Sequence, residues 1–248
     1  MRRQKFHIPM PDDETVKNEV RSITRLGLKQ KEPFFPYMLR IGKVLGFKYL
    51  FTNTRDGMLL TISTLIAVIF FLNTISDAPD IYGAVFLISP LLFMSLSLYE
   101  LYMKKQNATF EVEMTAKYNL YQISAFRMLH FSILSIAGNT ISFLPVVWKD
   151  SSLEFFTLFM ISTTSLFIFA IVFLFVYTKK RSGLTANLIG MGWILANIGL
   201  RLINANGYNH FLMSLPAILY GIVLIGSVII YLYYLSKLIR MNVQEGAL

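Results

Sequence analysis

Six uncharged apolar runs constrain what this sequence can fold into more than any other feature. They occupy residues 57–76, 81–99, 128–148, 155–178, 182–200 and 211–236. A helix needs about 20 apolar residues to cross the hydrocarbon core of a bilayer. Because a chain in lipid must satisfy its own backbone hydrogen bonds, and because no run alternates as a barrel strand does, the runs predict helices. The predicted fold class is an all-α integral membrane protein with six transmembrane helices.

These helices form one predicted domain, residues 57–240. Its second and fifth helices extend past the uncharged runs, to 81–103 and 182–202. A short C-terminal tail, residues 241–248, follows.

The charged residues predict which ends of the helices face the cytoplasm. Only 15% of the 248 residues are charged, against about 25% in soluble proteins. Twenty-one of the 23 Lys and Arg residues lie before the first run, in residues 104–127, at 179–181 or after the sixth run. Basic residues concentrate on the cytoplasmic side of a membrane. We therefore predict a multi-pass plasma-membrane protein with cytoplasmic N- and C-termini, and no nucleic-acid partner despite the net charge of +9.

Two amphipathic segments precede the first transmembrane helix. The N-terminal tail, residues 1–32, contains a short predicted helix with Asp12 as its N-cap. An elbow, residues 33–56, combines apolar and basic side chains as a helix lying in a membrane interface does. The elbow residues are Phe35, Met38, Arg40, Lys43 and Lys48. Two interpretations of the elbow stay open, a membrane anchor or a surface that bears on a cytoplasmic partner.

The connection between the second and third helices, residues 104–127, is itself patterned as a helix over 107–127. Apolar residues recur there at helical spacing, so a helix places them on one face. One interpretation is a loop helix lying on the bilayer, and the other is a docking element for a soluble partner. An acidic pair on an otherwise basic side favours docking. The candidate docking residues are Phe110, Glu111, Glu113, Met114, Lys117, Tyr118, Tyr121 and Arg127.

Four polar residues in or at the ends of the predicted spans are further candidates, because polar groups inside a membrane are costly. We expect Glu100 to pair with Lys104 or Arg127, and His130 to be a satisfied interfacial histidine. Asn139 and its neighbour Thr140 are expected to form interhelical hydrogen bonds. Arg201 is expected to reach the outer interface, with contact to an anionic head group or substrate as the alternative.

Small residues recur along the fifth helix and predict close helix packing. They are Gly190, Gly192, Ala196 and Gly199. The sequence has no phosphate-binding loop, no histidines at metal-ligand spacing and no cysteines. We therefore predict no metal, no cofactor and no enzymatic activity in this chain, so that any energy for its function comes from a partner.

The plan resembles the membrane (permease-like) subunit of a type 2 exporter-class ABC transporter. The resemblance is carried by a cytoplasmic N-terminus, an amphipathic elbow, six helices and a cytoplasmic helix after the second one. It is also similar to small Firmicutes six-helix proteins found with ABC transporter and extracytoplasmic sigma-factor genes. The residues behind that narrower likeness are ISPLL at 88–92, YELY at 99–102, the 111–123 segment with Arg127, and IPMPD at 8–12.

The resemblance implies a separate ATP-binding cassette ATPase docked on residues 104–127 and a second membrane subunit, the same or a related chain. Under this resemblance the elbow lies at about 35–53 and the coupling-type helix at 107–127. The short outer connections depart from the family pattern, because they leave no room for outer helices between the fifth and sixth spans.

Two functions follow from the sequence. The first is the transmembrane subunit of an ABC exporter that moves an amphipathic, peptide or lipid-like substrate. The alternative is a membrane-anchored, anti-sigma-like regulator that binds a cytoplasmic protein through its N-terminal tail.

Overall fold

The structure is a computed structural model that describes residues 12–27, 33–46, 50–75, 78–106, 120–150, 153–179 and 183–240. Within those ranges the backbone forms ten helices and no strand. They are α1 (Asp13–Gly27), α2 (Phe34–Leu45), α3 (Thr54–Thr74), α4 (Ala78–Ile88), α5 (Leu91–Gln106), α6 (Leu120–Lys149), α7 (Phe155–Lys179), α8 (Gly183–Ile203), α9 (Ala205–Ser214) and α10 (Ala217–Arg240). The chain divides into two compact units, Met1–Arg40 and Ile41–Leu248.

The first unit contains α1, the helix predicted in the N-terminal tail. The carbonyl of Asp12 accepts from the N–H of Val16 at 3.0 Å, so Asp12 occupies the predicted N-cap position. The apolar residues of this helix lie at its surface, with Val16, Val20 and Ile23 exposed by 41%, 55% and 68%. The predicted amphipathic helix is confirmed.

The predicted elbow contains α2, which lies across the boundary between the two units. It begins at Phe34, before Pro36, because a proline is tolerated in a first turn whose N–H groups have no helical acceptor. It ends at Leu45, and the following Gly46 has a φ of +65°, the left-handed conformation that glycine adopts at helix ends. Residues 47–49, including the elbow residue Lys48, lie outside the described residues.

The other elbow residues differ in exposure. Phe35 is 64% exposed and Met38 only 6% exposed. Arg40 and Lys43 are exposed, and the Arg40 guanidinium lies 5.4 Å from the centre of the Tyr37 ring. The elbow residues therefore do not share one exposed surface.

Six helical segments are long and apolar enough to cross a membrane, as the six runs predict. They are Thr54–Thr74, Asp80–Met103, Tyr121–Lys149, Phe155–Lys179, Leu184–Ile203 and Ile218–Arg240. The number of segments and the all-helical class are confirmed. The second segment, Asp80–Met103, agrees with the predicted 81–103, whereas the predicted bounds of the third and sixth segments are wrong.

The helix of the third segment, α6, begins at Leu120, although its start was predicted at residue 128. Residues 120–127 were assigned to the end of the loop helix, but they form the first turns of α6. Tyr121, Ala125 and Met128 are buried at spacings of four and three, so the apolar face of α6 continues into this stretch. Residues 107–119 of the predicted loop helix lie outside the described residues.

The second segment is two helices, α4 and α5, separated by a turn at Ser89 and Pro90. A proline has no N–H to donate and its ring clashes with the preceding turn, so a continuous helix is interrupted there. Pro90 lies about 10 residues, or roughly 15 Å of helix, from Asp80. The interruption is therefore close to the middle of the apolar segment.

The helix of the sixth segment, α10, begins at Ala217, although 211–236 was predicted. Residues 205–214 form the separate helix α9, whose N-cap Asn204 accepts a hydrogen bond from the N–H of Gly207 at 2.8 Å. Pro216 then precedes the first turn of α10. The expectation that no helix fits between the fifth and sixth spans is therefore wrong.

In the second unit, α7 lies at the centre and packs against α4, α6, α8 and α10. The α4–α5 segment is the most buried of the six, while α3, α8 and α10 are mostly exposed. A cluster of interlocking aromatic rings fills the middle of this unit. Its members are Phe93, Phe167, Phe169, Phe173 and Tyr231. The hydroxyl of Tyr231 donates to the carbonyl of Met128 at 2.9 Å, which fixes α10 against α6.

Of the four small residues predicted to pack on α8, Gly190 forms a close contact with another helix among the described residues. A Cβ at Gly190 would lie 2.6 Å from Sδ of Met94 on α5. A Cβ at Gly192 or Gly199 would meet no atom within 4 Å, and Ala196 is exposed. The packing prediction is confirmed for Gly190, whereas no described residue packs closely on Gly192 or Gly199, for which it stays a prediction, as it does for Ala196.

A leucine at Gly190 is expected to destabilise the protein by about 1–3 kcal/mol, because it overpacks the contact with Met94. Gly192→Leu is the matched control, since it makes the same change in helix propensity two residues away at an open position. The measurement is the loss of helical signal on SDS titration of purified protein in detergent micelles. Equal midpoints for the two variants would contradict the packing role of Gly190.

Candidate functional site

A buried ion pair joins α5 to the start of α6. Oε2 of Glu100 and Nη1 of Arg127 are 2.5 Å apart, and each residue is 5% exposed. Thr52, in the turn before α3, donates its N–H to Oε1 and its hydroxyl to Oε2 of Glu100, both at 3.0 Å. The same hydroxyl accepts from Nη1 of Arg127 at 2.9 Å. We call Thr52, Glu100 and Arg127 the Glu100 cluster.

The Glu100 cluster satisfies both buried charges. A buried ion pair is tolerated only when close geometry and further hydrogen bonds compensate the lost hydration, and Thr52 supplies those bonds. Of the two partners expected for Glu100, the structure confirms Arg127. The cluster fixes three segments to one another, namely the turn before α3, the last turns of α5 and the first turns of α6. The arrangement suits a rigid joint that transmits movement of one of these segments to the other two.

A small cavity of about 10 Å³ borders the Glu100 cluster. Ser97 lines it, and its hydroxyl is buried with no hydrogen-bond partner among the described groups. The cavity has room for about one water-sized group. The surroundings of the ion pair are therefore polar on one side but too confined for an organic ligand.

Of the eight candidate docking residues, the structure describes two, and both are buried. Six of them lie outside the described residues: Phe110, Glu111, Glu113, Met114, Lys117 and Tyr118. The other two, Tyr121 and Arg127, lie in the first turns of α6 and are 7% and 5% exposed. Tyr121 and Arg127 therefore lie in the interior of the chain, and docking of a partner on this segment stays a prediction.

The turn between α4 and α5 is capped by side chains from three other helices. Because Pro90 has no N–H, the carbonyl of Phe86 loses its helical donor, and the hydroxyl of Ser165 on α7 donates to it instead. Nε1 of Trp193 on α8 donates to the carbonyl of Leu87 at 3.2 Å. We call this turn, with its donors, the Pro90 break.

The third donor at the Pro90 break is Asn139 on α6. Its Nδ2 donates to the carbonyl of Ser89 at 2.9 Å and to Oγ of Ser162 at 3.2 Å. The interhelical hydrogen bonds predicted for Asn139 are confirmed. Thr140 was expected to do the same, but its hydroxyl donates to the carbonyl of Ile136 in its own helix. Non-helical backbone at membrane depth is stable only when such groups cover it.

At the other end of the α4–α5 segment, Asp80 accepts from two helices. Nη2 of Arg201 on α8 lies 2.7 Å from one carboxylate oxygen, and Nδ2 of Asn209 on α9 lies 2.6 Å from the other. Arg201 therefore forms an ion pair with Asp80, and its predicted position at the outer interface stays a prediction. The pair is about one third exposed.

The contact of α9 with α4 depends on close approach. A Cβ at Gly83 would lie 2.3 Å from Oδ1 of Asn209 and 2.9 Å from the ring of Tyr208. The hydroxyl of Tyr208 donates to Oδ1 of Asn197 on α8 at 2.8 Å. Burial raises the pKa of Tyr208 to about 12, against the opposing effect of Arg201, so this hydroxyl keeps its proton at neutral pH.

The remaining candidate, His130, lies against the backbone of its own helix. Its Nδ1 is 2.8 Å from the carbonyl of Phe126, which can only accept, so Nδ1 carries the proton. The satisfied histidine predicted here is confirmed. In the described part of the chain no three His, Cys, Asp or Glu side chains group as metal ligands do.

Sequence reasoning did not identify four contributors to these sites: Thr52, Ser165, Trp193 and Asn209. Thr52 lies 48 residues before Glu100 and carries no charge or periodic pattern that marks it. Pro90, in contrast, was visible in the middle of an apolar run, and it predicts that polar side chains elsewhere must cover the carbonyls it frees.

A scan against protein-family models, a search of curated proteins and a search of solved structures each give no match. The fold and the sites therefore define the class of this protein by themselves. It is an all-helical protein with six helical segments long and apolar enough to cross a membrane.

Proposed function

We propose that this protein is the transmembrane subunit of an ABC exporter. It lies in the plasma membrane with both termini in the cytoplasm, next to a second membrane subunit, the same or a related chain. A separate ATP-binding cassette ATPase docks on residues 104–127 and supplies the energy. Six long apolar segments and the concentration of basic residues at one end of them support membrane insertion in this orientation.

The Glu100 cluster is the observation that carries the proposal. Glu100 and Arg127 lie on either side of the 107–119 connection, on the two helices that it joins. Thr52 extends the joint to the start of α3, through the 3.0 Å bonds to Glu100. A force applied to that connection by a docked ATPase therefore reaches three membrane segments together. A simple anchor needs no such joint.

Two further features support the exporter proposal. The helix α9 lies between the fifth and sixth spans, where many type 2 exporters place outer helices, and Asp80 and Gly83 hold it on α4. The Pro90 break gives the second span two halves that meet near mid-membrane. Broken helices at this depth are typical of transporters. An amphipathic, peptide or lipid-like substrate fits the scarcity of charge in the spans.

The alternative function is a membrane-anchored, anti-sigma-like regulator that holds a cytoplasmic protein. The exposed apolar residues of α1 favour it, because Val16, Val20 and Ile23 lie on one helical face and are all more than 40% exposed. An exposed apolar helix face is typical of a protein-docking or membrane-surface element.

Co-purification from the native host, under mild detergent, tests the two functions against each other. The exporter proposal expects an ATPase to remain bound after deletion of residues 1–32 and to be lost on Glu111→Lys or Glu113→Lys. Glu19→Lys, a charge reversal of the same kind on α1, is the matched control and should retain the ATPase. Loss of the partner on tail deletion alone would overturn the exporter proposal in favour of the regulator.

A further inference from the structure

A cavity of about 210 Å³ opens where α3, α4 and α6 meet at the Asp80 end of the helices. Its wall is apolar and is formed by Leu72, Ile75, Ile81 and Val146. Leu72, Ile81 and Val146 are nearly fully buried, so this wall is a fixed part of the core. The cavity plays no part in the Glu100 cluster or the Pro90 break.

The rim of the cavity carries opposite charges on adjacent residues. Lys149 and Asp150 both line it, and the Asn73 amide lies beside them. Nδ2 of Asn73 donates to the carbonyl of Ile69 at 2.8 Å, which leaves its oxygen as a further acceptor. A carboxylate has about four acceptor positions, so Asp150 can accept from a ligand in addition to its own neighbours.

This chemistry selects a ligand that carries both charges and an apolar part. The Asp150 carboxylate would repel an anion that lacks a positive group, and the Lys149 ammonium would repel a cation that lacks a negative group. Pockets that enclose a whole drug-sized molecule measure about 300–1,000 Å³. A cavity of about 210 Å³ therefore accommodates a small zwitterionic group, while any long apolar chain continues outside it along the exposed surface of α3.

The neighbouring tryptophan places the cavity at the level of lipid head groups. Trp148 is 86% exposed and directly precedes Lys149, the last residue of its apolar segment. Exposed tryptophans at span ends lie in the interfacial belt of a membrane, between acyl chains and water. The charged rim then faces the head-group layer and the apolar wall faces the acyl region.

We propose that this cavity binds the head group of a zwitterionic phospholipid of the phosphatidylethanolamine class. Lys149 takes the phosphate, and Asp150 with the oxygen of Asn73 takes the ammonium. The proposal rests on the membrane insertion in the proposed function and is independent of the ATPase.

Native mass spectrometry of the full chain, purified in detergent and supplied with defined lipids, tests this site. The wild-type protein is expected to retain phosphatidylethanolamine about tenfold better than phosphatidylglycerol, which has no ammonium. The protein should also retain phosphatidylethanolamine better than phosphatidylcholine, whose quaternary ammonium has no N–H to donate. Free phosphoethanolamine should bind weakly, because it lacks the apolar part. Tight binding of that free compound would assign the site to a soluble ligand and overturn the lipid proposal.

Variants locate the site. Lys149→Gln and Asp150→Asn are each expected to reduce phosphatidylethanolamine retention about tenfold. Lys237→Gln, at the far end of α10, is the control and should leave it unchanged. Equal retention of the three lipids by the wild-type protein would overturn the proposal even if a variant fails to fold. Recovery of the chain in the membrane fraction is checked first. It distinguishes a failure of the lipid proposal from a failure of membrane insertion.

Discussion

Replacing Arg127 with leucine is expected to destabilise this protein by about 3–5 kcal/mol, the largest single effect that the structure predicts. The variant leaves the Glu100 carboxylate 5% exposed, with no cation beside it among the described side chains. The two hydrogen bonds from Thr52 remain, but neutral donors do not replace the lost charge. The midpoint of SDS-induced unfolding in mixed micelles, followed by circular dichroism, measures the loss.

The double variant Glu100→Gln/Arg127→Leu separates the charge from the shape of the site. It removes both charges and is expected to recover at least half of the lost stability, because no unpaired charge stays buried. Arg240→Leu, an exposed arginine in the last turn of α10, is the control and should have little effect. An Arg127→Leu protein as stable as this control would show that the ion pair does not hold the helices together.

Replacing Asn139 with leucine is expected to cost about 2 kcal/mol. The change removes the donor to the Ser89 carbonyl at the Pro90 break and the bond to Ser162, and it leaves a buried acceptor unpaired. The cost exceeds the average of about 0.6 kcal/mol for interhelical hydrogen bonds in membranes because that carbonyl lies at a helix interruption. The same SDS titration measures it.

Thr140→Val is the matched control for this prediction. Thr140 lies next to Asn139 on α6, but its hydroxyl donates to the carbonyl of Ile136 in the same helix. Its replacement is expected to change stability by no more than about 0.5 kcal/mol. If both variants unfold at the same SDS fraction, Asn139 does not stabilise the break.

The number of apolar segments could be predicted from the sequence, because lipid permits few alternatives for a long uncharged run. The start of α6 could not be predicted in the same way. Arg127 was taken as the boundary of the third span, since a charged residue normally ends one. Its pairing with Glu100 instead allows the helix to begin at Leu120 with the charge inside.

The contacts between residues distant in sequence could be predicted only in part. Asp80 and Arg201 are among the few charged residues at their end of the helices, and this scarcity alone is a signal that they pair. Asp80 and Arg201 are 121 residues apart in the sequence, so their contact could not be predicted from local spacing. No pattern linked Asn209 to the same carboxylate. The helix α9 was not predicted. Its N-cap, Asn204, was assigned to a loop, and Pro216, which follows its end, was assigned to the sixth span.

The Glu100 cluster also imposes an order on biogenesis in the proposed membrane setting. A lone charge in an apolar helix opposes its release from the translocon into lipid. Glu100 is synthesised 27 residues before Arg127, the cation that neutralises it. In that setting we expect the α4–α5 segment to be retained at the translocon until α6 has been made, so that the two enter the bilayer as a pair. The apolar stretch of α3 carries no charge and can precede them alone.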